Sequence, residues 1–508
     1  MKNYKLGLPD LGFSVLLWAL LIAKYGYTYG SSDHEELLVY VLFLKNCALY
    51  THDFFVQSLS GSTPNERTVM THILLPFAGH LGVSIFLFHF FNTILMMLAF
   101  ISIAGRFISN RYVSWMAVFI AAFVLYNRAL GGVDTYSAAF QAGDLSAMIV
   151  AWGFVFFLDG KYLWTSVIVA IATFIHVLVG FDIMVVFCAV MLWKYFIDKE
   201  INLTRLLGFF AIYLCTAGIY LVLVYRAKAS GDGTISDPEL FNIMFAFRHP
   251  HHFIFRTFPF YTKVLFVIYA TGALLFFRKY SYTAFQFVAV TIVVLIVYII
   301  GTDYGHWVFL ASFQWYKNTP WVKLLGVIGI VAFVYQYAQS FLNGENRIVN
   351  SVFTGGGIIA GAIVFYFYFH GDIAHGYKQY NEDEINLSVR IKDITTPEAV
   401  FVQPFGMTAL KFYAQRSSYI DFKAIAKNKK DTEGWYQRIQ EVYGLNYNMP
   451  EKGFQLEQKA DEYFNAMTEA QLDRLKSEGV THMIARTERY HERHKLILAE
   501  NGYFVYQL

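Results

Sequence analysis

The sequence predicts a polytopic α-helical membrane protein that carries a C-terminal soluble α/β domain. Three observations lead there. Of 508 residues, 56% are hydrophobic and only 15% charged, where a soluble domain carries about 25% charged residues. Apolar runs recur at lengths that cross a bilayer as helices. From about residue 371 the composition turns polar and no further apolar span follows.

Charge and cysteine usage exclude some classes. A formal net charge of +3 is too small for a nucleic-acid partner. Cys47, Cys188 and Cys215 are scattered without metal-ligand spacing, and at least two sit inside apolar runs. They read as small apolar packing residues. Met1 to Lys5 followed by an apolar run has the outline of a secretory leader. No small-residue cleavage site follows it, so an uncleaved first helix is expected.

About eleven spans are expected, near residues 10–28, 82–104, 112–126, 143–158, 162–176, 178–195, 205–225, 263–278, 283–301, 321–341 and 352–370. The stretch 162–195 is nearly continuous, with Gly180 and Asp182 as its weak point. Basic residues orient the spans. Arg106 and Arg111, Lys161, the Lys194–Lys199–Arg205 group, and Arg278 with Lys279 fall in short loops that alternate with less basic ones. An inside N-terminus puts these loops inside. Residues 29–81, 127–142, 226–262, 302–320 and the C-terminus then face outward, although 226–262 is basic too.

Residues 1–371 therefore form a transmembrane helical domain and 372–508 an extracytoplasmic one, of a size that folds alone. In the second, strands are expected at Val400–Gln403, Tyr419–Asp421, Thr481–Ala485 and Tyr503–Tyr506. Helices are expected at Met407–Arg416, Trp435–Tyr443, Lys459–Lys476 and Arg489–Glu500. That alternation predicts a small, mainly parallel sheet.

The outer loops hold nearly all the unusual ionisable groups. Asp33, His34, Glu35 and Glu36 follow the first span, with His52 and Asp53 beyond them. Asp33 and Glu36 would share a helix face. They would equally make an N-cap and capping box, so function and capping both stand here. A second cluster holds Arg128, Asp134, Tyr136, Gln141 and Asp144. Solvation of Asp134 and helix capping by Asp144 are its bland alternatives. A third is Arg248-His249-Pro250-His251-His252, flanked by Phe247 and Phe253. Its guanidinium and imidazoles suit a phosphate or pyrophosphate head group. A transition or divalent metal is a weaker alternative, because no fixed Cys/His spacing supports it. Asp303, His306, Lys317 and the intramembrane pair His176 and Asp182 are minor candidates.

Carboxylates and basic residues on one face of a bundle suit chemistry on a lipid-linked phosphate. A carboxylate takes the proton of an acceptor hydroxyl, and Arg and His stabilise the departing phosphate. That describes glycosyl transfer from a polyprenyl-phosphate sugar through an oxocarbenium-like transition state.

The chain resembles the GT-C class of multi-pass glycosyltransferases, and in particular a bacterial branch within or near that class. The residues that carry the resemblance are Asp33 to Glu36, Tyr50-Thr51-His52-Asp53-Phe54, Arg248 to His252 and Phe313-Gln314-Trp315-Tyr316-Lys317. Thr396-Pro397-Glu398-Ala399-Val400-Phe401, Gln415-Arg416-Ser417-Ser418 and Trp435-Tyr436-Gln437-Arg438 continue it. The resemblance implies a bacterial inner membrane, an extracytoplasmic C-terminal domain, and a catalytic or metal-linked acid in the first outer loop. Carried over, that acid is Asp33, Glu35 or Glu36, with Asp33 first because it lies nearest the first span. His34 interrupts the usual acidic pair. His52, Asp53, Arg128, Asp134, Arg248, His249, His251, His252 and Lys317 are the expected substrate-binding residues. Expected partners are membrane lipid, a polyprenyl-phosphate-linked sugar, and a glycan, lipid or protein acceptor.

Two other readings compete. One is a non-enzymatic component, a transporter or an accessory subunit of an envelope protein complex for secretion or polysaccharide export. Ionisable residues paired at mid-membrane would favour transport. The other is a ligase or acyl/phospho-transferase on a lipid-linked polymer, which shares the site and differs in substrate.

Overall fold

The computed structural model describes residues 4–229, 233–341, 351, 355, 381–425, 428–488 and 493–508. Among these, seven helices are long and apolar enough to cross a membrane: Leu8–Tyr25, Leu81–Ala104, Val177–Phe196, Leu203–Lys228, Phe260–Tyr280, Tyr282–Tyr304 and Val308–Phe341. Each falls on an expected span. The expected spans at 112–126, 143–158 and 162–176 become the shorter apolar helices Arg111–Val124, Ala142–Leu158 and Tyr162–Ile175. At about 1.5 Å per residue, a helix of about 14 residues rises roughly 21 Å, less than the ~30 Å hydrocarbon layer. The span expected at 352–370 lies almost wholly outside the described residues. The protein is a multi-pass helical membrane protein with a small C-terminal sheet.

The chain divides into two compact units. The first comprises Met1–Tyr27, Ile85–Leu221 and His251–Lys378. Its core is a continuous cluster of aliphatic and aromatic side chains, among them Leu17, Phe100, Phe154, Phe187, Phe287 and Leu325. The Phe157 and Phe187 rings stack at 4.4 Å. Helices Phe260–Tyr280 and Thr319–Phe341 approach closely at glycines. A Cβ on Gly326 would stand 2.4 Å from the Tyr269 carbonyl oxygen, and one on Gly329 3.0 Å from that of Gly272. Small residues of this kind let membrane helices pack backbone against backbone. Leu16, Val267, Leu275, Val293 and Phe333 are exposed apolar residues on the spans, as a lipid-facing surface requires.

The break in 162–195 falls at His176, four residues before the expected Gly180. His176 is extended (φ −144°, ψ 103°), ends one helix and caps the next, its Nδ1 accepting the Val179 N–H at 3.3 Å. Gly180 lies inside the second helix and serves packing instead. A Cβ there would come within 2.3 Å of the Thr173 backbone nitrogen.

The second unit comprises Thr28–Ser84, Val222–Pro250 and Gln379–Leu508. Its sheet has five strands: β1 (Val400–Val402), β2 (Ser417–Ser418), β3 (His482–Ala485), β4 (Lys495–Glu500) and β5 (Tyr503–Gln507), in the order β2-β1-β3-β5-β4. β1 runs parallel to β2 and β3, while β5 runs antiparallel to β3 and β4. The sheet is therefore mixed. Leu387, Ile391, Phe401, Leu410, Ile484 and Val505 pack its core.

Several expected elements change. The helix expected at Arg489–Glu500 is strand β4 where it is described. Asn501 (φ 49°) and Gly502 (φ 77°) turn it tightly into β5. Asn-Gly is the strongest short-range hairpin signal, because both positions need positive φ. The helix expected at Lys459–Lys476 is two, Glu457–Asn465 and Glu469–Ser477. Thr468 and Gln471 form a capping box that starts the second. Only Leu410–Ala414 of Met407–Arg416 coils, and the strand expected at Tyr419–Asp421 lies at Ser417–Ser418. An additional helix spans Glu382–Ile394, capped by the Asn381 side chain.

Candidate active site

The acidic run sits in the second unit. Gly30 (φ 76°) and Ser32 (φ 59°) turn the chain into helix His34–Lys45. The positive φ of Gly30 is one that L side chains rarely adopt, and a Cβ there would also crowd the Tyr413 hydroxyl, 2.3 Å away. Asp33 occupies the N-cap position, but its side chain makes no capping hydrogen bond. Glu36 does not turn back to complete a capping box; its carboxylate accepts from Arg67. Asp33 is exposed, and its charge acts on both Arg67 and Arg248.

The other three residues of the run are buried. His34 Nδ1 accepts the Gly30 N–H at 3.1 Å, so this ring holds the turn. Glu35 Oε1 accepts from the Thr408 hydroxyl at 2.6 Å, and its Oε2 from Lys423 Nζ at 3.0 Å. Burial pushes the Glu35 carboxyl above its ordinary pKa, against the pull of Lys423 and Thr408. The Arg67 guanidinium lies 5.4 Å from the Phe55 ring centre. Burial draws its pKa down to about 10, against the Asp33 charge, which leaves it a cation at neutral pH.

A second group of charges belongs to the same unit. Arg248 is 1% exposed and donates from Nε to the Phe422 carbonyl at 2.9 Å. Its guanidinium lies 5.9 Å from the Phe422 and Trp435 ring centres and bonds the neighbouring His249 ring. Burial lowers its pKa to about 9, opposed by Asp421 and Asp33. Lys411 pairs with Asp421. Burial pulls this ammonium down, yet Asp421, Asp53 and Glu35 together hold it above its ordinary pKa. Asp53 caps helix Phe54–Gly61, accepting Val56 N–H at 3.0 Å and Ser418 N–H at 2.9 Å. Both of its oxygens are thus engaged by backbone, and burial raises its pKa. His52 is exposed beside it.

Four partners in this network lay outside the sequence expectations: Arg67, Lys411, Asp421 and Lys423. Lys411 stood between Leu410 and Phe412, where an isolated cation in an apolar run is itself a signal of a buried partner.

The remaining candidates sit in the first unit. Asp134 is buried rather than solvated. Both carboxylate oxygens lie 2.6 Å from Lys323 Nζ and also accept the Asn127 and Thr135 N–H groups, each at 2.6 Å. Lys323 additionally donates to the Leu125 carbonyl at 3.0 Å. Arg128 donates to the Tyr261 hydroxyl at 2.8 Å. His252 Nδ1 bonds the Gly131 carbonyl at 2.9 Å, and its ring centre lies 4.1 Å from that of His251. Lys317 Nζ lies 3.4 Å from His176 Nε2. Asp303 accepts the Phe255 and Arg256 N–H groups at 2.9 and 3.1 Å. Among the described residues no three His, Cys, Asp or Glu side chains are grouped to hold a metal ion.

A family described as Domain of unknown function (DUF6798) matches residues 382–442. No curated protein matches the sequence. The structure is similar to that of the Archaeoglobus fulgidus oligosaccharyltransferase tethered with an acceptor peptide containing the NVT sequon. Identity is 11% and the TM-score 0.49, over 94% of this chain and 68% of that one. It is also similar to the archaeal oligosaccharyltransferase AglB from Archaeoglobus fulgidus in complex with an inhibitory peptide and a dolichol-phosphate. There identity is 12% and the TM-score 0.36, over 94% and 69% of the two chains. At these identities and TM-scores the likeness transfers no residue roles.

Proposed function

We propose that the chain is an outer-face glycosyltransferase. It moves a sugar from a polyprenyl-phosphate donor to an extracytoplasmic glycan, lipid or protein acceptor. One observation carries this reading. Asp33 is the exposed member of the acidic run, and the charges of Arg67 and Arg248 act on it. Glu35 and Glu36 are buried, paired with Lys423 and Arg67.

In this reading Asp33 takes the proton from the acceptor hydroxyl. The acceptor oxygen bonds to the anomeric carbon as the bond from that carbon to the phosphate oxygen breaks. The phosphate leaves with the electron pair, and the sugar passes through an oxocarbenium-like state. Arg67 and Arg248 supply positive charge to the leaving phosphate. A charge held in a low-dielectric interior acts over a longer range than one in water. The proposal includes a bacterial inner-membrane location, with the second unit extracytoplasmic.

Purified chain given a polyprenyl-phosphate sugar and cell-envelope glycan should release polyprenyl phosphate with matching sugar incorporation. Absence of both in a folded preparation would remove the reading.

A second reading, as a non-enzymatic transport or accessory component, has one observation of its own. Asp182 is fully buried in helix Val177–Phe196, and neither of its oxygens has a hydrogen-bond partner among the described residues. Lys317 is the cation whose charge acts on it. Intramembrane ionisable groups of this kind mark ion or proton paths.

A further inference from the structure

A metal-linked acid in the first outer loop would hold a divalent cation. Mg²⁺ and Mn²⁺ take hard oxygen ligands, carboxylates above all. In the second unit those oxygens already have donors or cations of the protein itself. Glu35 is held by Lys423 and the Thr408 hydroxyl, Glu36 by Arg67, Asp421 by Lys411, and Asp53 by two backbone N–H groups. Glu66 Oε1 stands 3.5 Å from Arg67 Nη1, and its Oε2 3.9 Å from Lys228 Nζ. Asp33 is the exposed acid of the run, and its charge already acts on Arg67 and Arg248. The Arg248 guanidinium also bonds the His249 ring, where a metal ion would meet a fixed positive charge. This donor set does not fit a divalent cation.

We propose that the protein's own guanidiniums stand in for the metal: Arg67 and Arg248 hold the phosphate of the lipid-linked donor directly, and transfer needs no divalent cation. The proposal rests on the glycosyl-transfer reading for the word donor.

Both guanidiniums have capacity for an anion. Arg67 Nη1 is buried and has no hydrogen-bond partner among the described residues. A buried charged donor without an acceptor is costly, and a ligand oxygen would restore the bond. Arg248 is 1% exposed and uses Nε for the Phe422 carbonyl and Nη1 for His249. Its Nη2 makes no hydrogen bond among the described residues.

The charge of Arg67 also works against that of Arg248. Two buried cations that repel each other are stabilised by a shared anion, and a phosphate has oxygens enough for both forks. Aromatic rings flank the two planes, Phe55 at Arg67 and Phe422 with Trp435 at Arg248. Guanidiniums placed in advance lose little freedom on binding. The same two charges face the phosphate as it leaves, where charge develops.

The test is calorimetric binding of farnesyl phosphate to the full chain in detergent, after exhaustive treatment with EDTA. Farnesol and inorganic phosphate are the controls. Farnesyl phosphate should bind without metal, and added Mn²⁺ should leave its affinity unchanged. Titration of Mn²⁺ alone, followed by electron paramagnetic resonance, should show no stoichiometric site. Farnesol should not bind, and inorganic phosphate should bind more weakly. Arg67→Lys, which keeps the charge and loses the fork, should weaken farnesyl phosphate by about tenfold. Binding that requires Mn²⁺, a stoichiometric Mn²⁺ site, unchanged affinity in Arg67→Lys, or equal affinity for farnesol or inorganic phosphate would overturn the proposal. The metal arms use the wild-type chain, so they decide whatever Arg67→Lys does to folding. Binding is read without turnover, so its failure is separable from a failure of the transferase reading.

Discussion

Glu35 and Lys423 lie 388 positions apart in sequence, and their side chains meet at 3.0 Å. The Glu35 side chain is 5% exposed and that of Lys423 18%. Through this pair and the Thr408 hydrogen bond, helix His34–Lys45 is tied to the C-terminal segment of the same compact unit. Breaking a fully buried pair by removing one partner costs about 3–5 kcal/mol, and exposed pairs contribute far less. Because Lys423 reaches solvent, Lys423→Met should cost about 2 kcal/mol of stability. The double variant with Glu35→Gln should recover part of that loss, since no carboxylate is left stranded. Thermal unfolding of the full chain in detergent reads both.

The same carboxyl predicts a pH dependence. Burial raises the folded-state pKa of Glu35, and that of Asp53, above their ordinary values. A carboxyl with a raised folded pKa holds its proton more tightly when folded. Its contribution to stability is complete below the unfolded pKa, about 4.3 for Glu, and is lost as pH rises through the folded value. Unfolding temperature should therefore fall across that window as pH increases. Glu35→Gln, which mimics the protonated form, should flatten the fall. A wild-type and a variant profile of equal slope would contradict this.

In the first unit, Lys323 holds both oxygens of Asp134, each at 2.6 Å, and both side chains are 1% exposed. Lys323→Ala would leave a buried carboxylate, at a cost of about 3–5 kcal/mol. Screening barely reaches a pair this deep. The loss in unfolding temperature should accordingly be the same in dilute and concentrated salt. A loss that vanishes in concentrated salt would mean that the pair is solvated.

Much of this was legible in the sequence, for definite reasons. Span positions follow from apolar run length, so all seven long helices fall where hydropathy puts them. Three further apolar runs were legible as helices at nearly their observed lengths, because each apolar stretch ends where the helix does. His176 is different: its imidazole caps the following helix, while Gly180 looked like the natural break and is used for packing. The β4–β5 hairpin is hard to see in the sequence because the Asn501-Gly502 turn signal follows a charged, helix-like run. At the candidate site, Asp33 to Glu36 and Arg248 stood out as charges in apolar surroundings. Among their partners, Lys411 carries a local signal, a lone cation in an apolar run, whereas Arg67, Asp421 and Lys423 are ordinary locally and acquire meaning only through contacts that no sequence spacing encodes. Asp134, which the sequence leaves open between substrate binding and solvation, is held by Lys323 from 189 positions away.

The most direct test of the central claim is sugar transfer by Asp33→Asn, assayed as release of polyprenyl phosphate from a polyprenyl-phosphate sugar. Asp33 is exposed and makes no capping hydrogen bond, so the variant should still fold, with an unfolding temperature lowered by the loss of its charge on the buried Arg67 and Arg248. A general base contributes about 10²–10⁴-fold, so transfer should fall at least 100-fold on that scale. Glu36→Gln, which weakens the Arg67 pair, should also lower the unfolding temperature. Full transfer by a stable Asp33→Asn enzyme would contradict the assignment of Asp33 as the base.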